Sequence, residues 1–282
     1  MPAPIDLAAE RSHVRRAGWV APGPQPLGPR GRDELAPAAD EDLSFLTGDF
    51  RIFQLRDGHR WSLDDFMTAY VALEAAPEAA HALDLGCGIG SVLLMVAWGL
   101  PSASLVGVEA QDVSIALARR SVAYNGVEDR CALHHGDLRD ETLLPSGTTF
   151  DLVTGTPPYI PIGSGLVSSR AQRGPCCFET RGGIEDYAAR AAQLLAPNGA
   201  FVACYGAYPA TRGEDAVRAA GLELVRRVDV VPRAGKPVLF RVLVARRGAV
   251  VAPRVDTFVV RDAAGAITPD MHRARERMGL PP

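Results

Sequence analysis

The chain has 282 residues, 47% hydrophobic and 22% charged, with a formal net charge of −3. That length suits one large α/β domain with extensions, or at most two small domains, and the composition can fill a globular core. The charge balance excludes a protein that coats nucleic acid through bulk positive charge, so a nucleic-acid role has to rest on a local basic face. Five cysteines lack a CxxC pair with zinc spacing, which points to a reduced compartment and to no metal. No apolar run is long enough for a membrane span and the opening Met1-Pro-Ala-Pro-Ile-Asp6 does not resemble a secretory signal; a cytoplasmic protein is expected.

Residues 1–44 are rich in Ala, Pro, Gly and charge, with Pro22, Pro24, Pro26 and Pro29 closely spaced, which predicts a disordered or loosely packed tail. The catalytic-size domain is expected over 45–262, with 45–80 leading into it and 263–282 as an extension. Alternating Phe50, Ile52 and Gln54 predict a short strand, turned at Asp57-Gly58. From Ala82 onward short apolar runs alternate with amphipathic stretches, the pattern of a mostly parallel sheet covered by helices in an α/β fold. Strands are predicted at 82–85, 105–108, 132–134, 152–154 and 201–205. Between them Asp112 is placed as an N-cap, Ile115, Ala118 and Val122 share a helical face, and Asn125-Gly126 supplies a stop. The runs 222–231 and 238–245 are separated by too few residues for a crossover helix, so they are expected to form an antiparallel hairpin at the sheet edge.

Two segments carry the chemistry. In Ala82-Leu-Asp-Leu-Gly-Cys-Gly-Ile-Gly90, a strand bearing Asp84 runs into Gly86, Gly88 and Gly90, where backbone can approach a ligand that any Cβ would meet. A dinucleotide site would want GxGxxG, with helix amides on a pyrophosphate. Here the spacing is GxGxG and an acid precedes it. A carboxylate at Asp84 repels a pyrophosphate and suits the positively charged methionine end of S-adenosylmethionine, directly or through water. Glu109, ending the next strand, can accept both ribose hydroxyls, and Asp137 is placed either to accept from an adenine amino group or to cap a helix.

The second segment is Asp151-Leu-Val-Thr-Gly-Thr-Pro-Pro-Tyr159, at the end of the fourth strand, where open α/β sheets place their ligand crevice. An exocyclic amino group needs two acceptors to orient its lone pair. Thr156 and the Pro157 carbonyl are candidates, and Tyr159 can stack on a planar group. The pattern resembles the (Asn/Asp/Ser)-Pro-Pro-(Tyr/Phe/Trp) motif of amino-methyltransferases, with Thr in first place. Asn or Asp there is typical of adenine-N6 and protein glutamine-N5 enzymes, and Ser of cytosine-N4 enzymes.

The resemblance extends beyond these motifs. Phe53-Gln-Leu-Arg-Asp-Gly-His-Arg-Trp-Ser-Leu-Asp-Asp-Phe-Met67 is similar to the Gln…Gly-Tyr-Arg-Phe-Ser-Leu-Asp stretch of bacterial tRNA adenine-N6 methyltransferases that act in the valine-tRNA anticodon loop, and 233–244 to their late Pro-His-Arg-Val-Leu segment. The similarity implies a class I, Rossmann-like methyltransferase domain with a seven-stranded, mostly parallel sheet and an antiparallel last hairpin. It makes 45–80 a lid in which Asp64 touches cofactor or substrate. It further implies methylation of a base in tRNA or other RNA; a protein glutamine, a small-molecule amine, or a noncatalytic cofactor- or RNA-binding scaffold are the rival readings. The loop 160–183, with Ser168, Ser169, Arg170, Gln172, Arg173, Cys176, Cys177, Glu179 and Arg181, is expected to select the substrate. RNA phosphates would be held by the last third, where Arg212, Arg218, Arg226, Arg227, Arg233, Lys236, Arg241, Arg246, Arg247, Arg254 and Arg261 crowd; the same arginines can equally be solvated faces.

Overall fold

The apolar runs become strands of one sheet because their alternate residues enter two different cores. Along β7 (Leu195–Gly206), Val202 and Cys204 join one apolar layer, while Phe201, Ala203 and Tyr205 join the other. The computed structural model describes residues 18–161, 163, 172–248 and 252–281; residues 1–17 and Ser168, Ser169 and Arg170 of the expected selectivity loop lie outside them.

The first elements are an antiparallel hairpin, β1 (Glu41–Thr47) and β2 (Phe50–Leu55), followed by helix α1 (Leu63–Ala75). The main domain then alternates β3 (His81–Leu85), α2 (Ser91–Gly99), β4 (Ser104–Glu109), α3 (Asp112–Asn125), β5 (Cys131–His135) and β6 (Phe150–Gly155). After β6 come a short helix α4 (Arg173–Cys177), α5 (Ile184–Leu194), β7, α6 (Arg212–Ala219), β8 (Glu223–Val231), β9 (Phe240–Arg246), β10 (Arg254–Val259) and α7 (Pro269–Arg277). Helix α3 stops at Gly126, which takes the left-handed conformation at φ +70°. Its N-cap is Gln111, one residue before the expected Asp112.

The main sheet has eight strands in the order β10-β8-β9-β7-β6-β3-β4-β5. Strands β7, β6, β3, β4 and β5 are mutually parallel, and β9 is antiparallel to both its neighbours. The expected seven strands are corrected by β10, which pairs in parallel with β8 and moves the β8–β9 hairpin one place in from the edge. Its residues alternate Val255, Thr257 and Val259 against Phe258, but the charges of Arg254 and Asp256 disguise it as a loop.

The structure shows how the flanking segments are packed. The part of the 1–44 tail that is described is packed: Ala21 and Leu35 are buried, and Arg120 donates to the carbonyls of Glu34 and Ala36 at 2.7 and 2.8 Å and to Glu41 at 2.6 Å. The segment 45–80 is anchored to the domain, because α1 buries Phe66, Met67, Ala69, Val71 and Ala72 in the core. The extension 263–282 contributes α7, which buries Ala274 and Met278. Beside it, the buried Trp98 ring is touched by the backbones of Gly23, Gly48 and Gly279; an added Cβ at any of them would lie within 2.8 Å of the indole. Among the described residues, no helix is long and apolar enough to cross a membrane.

Candidate functional site

The parallel strands β3, β4, β5 and β6 end together at a cleft that is open to solvent at its mouth. It is lined by Gly86, Cys87 and Gly88 after β3, Glu109 to Gln111 after β4, Gly136 to Leu138 after β5, and Thr156 and Pro158 after β6. Asp65, Ser91, Cys176, Arg181 and Tyr187 complete it from the surrounding helices and loops.

Each cofactor residue read from the sequence has a definite place. Gly86 and Gly88 have φ of +59° and +55°, in the left-handed region that favours glycine. A Cβ on Gly86 would lie 2.1 Å from Tyr187 Oη, whereas one on Gly88 would meet nothing within 4 Å. Gly86 is therefore needed for packing, and Gly88 presents bare backbone to the cleft. Gly90 is the N-cap of α2 at φ +89° and packs toward Ala118. Glu109 is buried at the cleft wall and accepts from Gly88 N at 2.9 Å and Gln111 N at 2.7 Å, one bond on each carboxylate oxygen. Each oxygen keeps a second acceptor site for a diol. Burial raises the Glu109 carboxyl above its usual range.

Asp137 lines the cleft with its carboxylate gripped by Arg139, at 2.9 Å from Nε and 2.7 Å from Nη2, which holds it below the usual carboxylate range. Asp84 does not line it. This carboxylate is 3% exposed and accepts from Thr154 Oγ1 at 2.8 Å and Leu93 N at 3.1 Å, pinning β3 to β6 and to the first turn of α2. Burial pushes its carboxyl up to about 7. The acid that reaches the cleft is Asp65, bonded to Ser62 N and Ser91 Oγ, each at 2.8 Å, and pushed up to about 7 by burial and by the charge of Asp64. The signal for it was the Ser62-x-x-Asp65 capping box, in which the acid turns back to the helix start. Asp64 instead bonds Ser62 Oγ and Tyr159 Oη.

On the substrate side, Thr156 faces the cleft and Pro157 is buried behind it. Tyr159 departs from expectation. Its hydroxyl lies 3.1 Å from Asp64 Oδ2, to which it donates, and 2.9 Å from Cys204 Sγ, so the ring is drawn between α1 and β7 and does not line the cleft. Over the mouth, the described part of the 160–183 loop is tied down by Gln172, which accepts from His59 N at 3.0 Å and donates to Ser114 at 3.2 Å, and by Arg212, which bridges Glu179 and Glu185 at 2.6 and 2.7 Å. Cys176 accepts from Gln111 Nε2 at 3.3 Å, and burial raises its thiol to about 11. No group of side chains fit to hold a metal occurs among the described residues.

Most of the late arginines are paired with acids or carbonyls of the chain itself. Arg226 pairs with Glu74 and Asp256, Arg227 with Glu214 and Asp229, Arg241 with Asp229, Arg218 with Asp215, and Arg254 with Asp256. Arg246 and Arg247 donate to backbone carbonyls. The expected broad basic face is thereby reduced to a small remainder.

Comparison with known proteins agrees with this geometry. Residues 82–159, which hold the glycine loop and the four ligand-facing strand ends, match the family model described as a methyltransferase domain. Over 121 residues the chain is 33% identical to a tRNA1(Val) (adenine(37)-N6)-methyltransferase of Porphyromonas gingivalis, covering 42% of this chain and 47% of that protein. Over 91 residues it is 43% identical to a release factor glutamine methyltransferase of Geobacter sulfurreducens, covering 32% of this chain and 30% of that protein. The chain thus spans about half the length, or less, of these curated relatives. A crystal structure of a predicted O-methyltransferase from Agrobacterium tumefaciens superposes with a TM-score of 0.53 at 20% identity, covering 78% of this chain and 98% of that one. That likeness establishes the Rossmann-like α/β fold.

Proposed function

We propose that this chain, which carries a class I S-adenosylmethionine-dependent methyltransferase domain, methylates an exocyclic amino group of a base in RNA, with adenine N6 as the target atom. The observation that carries the reading is the meeting of Thr156 and Pro158, from the Thr156-Pro-Pro-Tyr159 motif, with Gly86 and Gly88 of the glycine loop at one cleft. The cleft fits the cofactor. Its ionisable lining comprises the acids Asp65, Glu109 and Asp137 with Arg181 and His59, a balance that suits a sulfonium and hydroxyl or amino donors over a pyrophosphate. When bound there, S-adenosylmethionine supplies an electrophilic methyl group.

The chain's own residues do the rest by placement. Bare backbone at Gly88 admits the ligand, the free acceptor sites of Glu109 take a ribose diol, and Asp65 offers negative charge beside Ser91. Thr156 Oγ1 and the Pro157 carbonyl accept the two N–H bonds of the amino group, which directs its lone pair into the cleft. No strong base is required, since the nitrogen loses its proton to solvent only as it gains the methyl. Thr156 has a shorter reach than the Asn of the related motif, so the acceptor must sit closer to the β6 end.

A protein glutamine is the second reading, favoured by the 43% identity over 91 residues to the release factor enzyme. The deciding experiment incubates the protein with methyl-labelled S-adenosylmethionine and small RNA, protein extract or metabolite extract in parallel. Label in RNA that digests to N6-methyladenosine supports the first reading. Label confined to protein replaces it with the second, and label in metabolites alone refutes both.

A further inference from the structure

The cations left over from the internal ion pairs gather in one place. Strand β8 runs antiparallel to β9, and β9 antiparallel to β7, so β8 ends at the same sheet edge as β7 and β6; β10, parallel to β8, ends there too. The β8–β9 turn therefore carries Arg233 and Lys236 off the edge that bears Thr156, and the segment after β10 carries Arg261 beside them. Ala234 N donates to Arg261 O at 2.8 Å, locking the two segments together. Both arginines converge on Gly265: Arg261 Nη1 donates to its carbonyl at 2.8 Å, and a Cβ built on Gly265 would lie 2.4 Å from Arg233 Nη2. Arg275 of α7 adds a third guanidinium, close enough to Arg261 that burial and that neighbouring charge lower its pKa, and its buried Nε has no hydrogen-bond partner among the described residues. The nearby Asp262 carboxylate accepts from Ala266 N, and neither Arg233 nor Lys236 forms an ion pair among the described residues. Cations held beside one another without an ion pair among the described residues call for an external anion.

An aromatic lies between this cluster and the cleft. Tyr208, just after β7, is 80% exposed, and its carbonyl lies 3.7 Å from a Cβ built on Gly206, where Tyr159 also approaches. By strand order, β10 is three spacings from β7 and four from β6, so the basic tip stands about 19 Å from Thr156 with Tyr208 on the way. A single strand of a few nucleotides spans that distance, with phosphates at one end and an unpaired base stacked midway.

We infer that the tip formed by Arg233, Lys236, Arg261 and Arg275, with Tyr208 as a stacking platform, is a docking site for single-stranded RNA that flanks the methylated nucleotide. This rests on the reading that the acceptor is an RNA base. The site predicts two separable signatures. In fluorescence anisotropy with labelled single-stranded RNA of about 15 nucleotides, Arg233→Gln/Lys236→Gln should raise Kd at least tenfold at 0.1 M salt and reduce the slope of log K against log salt by about 1.4, or 0.7 per lost phosphate contact. Tyr208→Ala should weaken binding roughly five- to hundredfold with the slope unchanged, and Tyr208→Trp should restore it. Cofactor affinity and Tm, measured on each variant, should stay at wild-type values and show that the fold is intact. Unchanged affinity and slope in the double variant, with RNA still methylated, would overturn the docking site and leave the proposed function standing. A wild-type protein that binds no RNA and labels only protein overturns both.

Discussion

Gly88→Ala removes a backbone freedom and fills a space, and the two effects are measured separately. At φ +55° an alanine costs about 1–2 kcal/mol. Its Cβ meets nothing within 4 Å, so no clash adds to that cost and the variant should fold with a Tm lowered by roughly 2–3 °C. Cofactor binding should suffer far more, because the methyl group occupies the surface that the ligand has to approach; a loss of at least about tenfold in affinity is expected. Gly86→Ala is the contrast. There the same strain is joined by a contact of 2.1 Å with the buried Tyr187 hydroxyl, for a combined penalty of roughly 2–5 kcal/mol that lowers Tm much further. Adding Tyr187→Phe removes the oxygen and leaves Cζ at 3.0 Å, so part of the lost stability should return. The assays are thermal melts without cofactor and calorimetric titration with S-adenosylmethionine. Wild-type affinity in Gly88→Ala, or equal destabilisation in the two glycine variants, would refute the division of roles.

Other perturbations test the rest of the site. Thr156→Ala should lower kcat about a hundredfold while cofactor affinity, by calorimetry, changes less than about twofold, since only the amino acceptor is lost. The Asp84 carboxyl is pushed up to about 7 against roughly 4 in the unfolded chain, so the folded state binds the extra proton between those values and stability from this group is lost as pH rises through 7. Asp84→Asn should therefore gain Tm relative to wild type between pH 5 and pH 8; a difference that does not change with pH would show that the group is not titrating there. Arg212→Ala removes the bridge to Glu179 and Glu185 and frees the segment holding Cys176 and Arg181, so alkylation at Cys176, located by mass spectrometry, should accelerate at least about tenfold.

The strand-and-glycine framework was legible because it rests on local patterns. Short, nearly continuous apolar runs mark β3, β4, β6 and β7, which are buried on both faces, and the spacing of Gly86, Gly88 and Gly90 marks a turn that only glycine populates readily. Glu109 was legible for the same reason, as the last residue of a strand whose end is the site. What escaped depended on partners distant in the chain. Tyr187 is an ordinary helix residue until the fold lays it on Gly86, and Tyr159 turns away from the cleft because Asp64 and Cys204 stand behind it. Asp84 stays out of the cleft because Thr154 and Leu93 satisfy it, and Asp65, for which no role was expected, lines the cleft instead. Arginine density in the last third suggested a phosphate-binding face, but a count of cations cannot reveal that Glu74, Glu214, Asp229 and Asp256 already hold most of them.

The meeting of Gly23, Gly48 and Gly279 on Trp98 makes that indole an internal gauge of assembly. One chromophore touches the entering strap, the β1–β2 turn and the segment leaving α7, so its emission should respond when any of the three lifts away. Undocking of the chain's outer wrappings could thereby be followed optically while the parallel sheet beneath them stays intact.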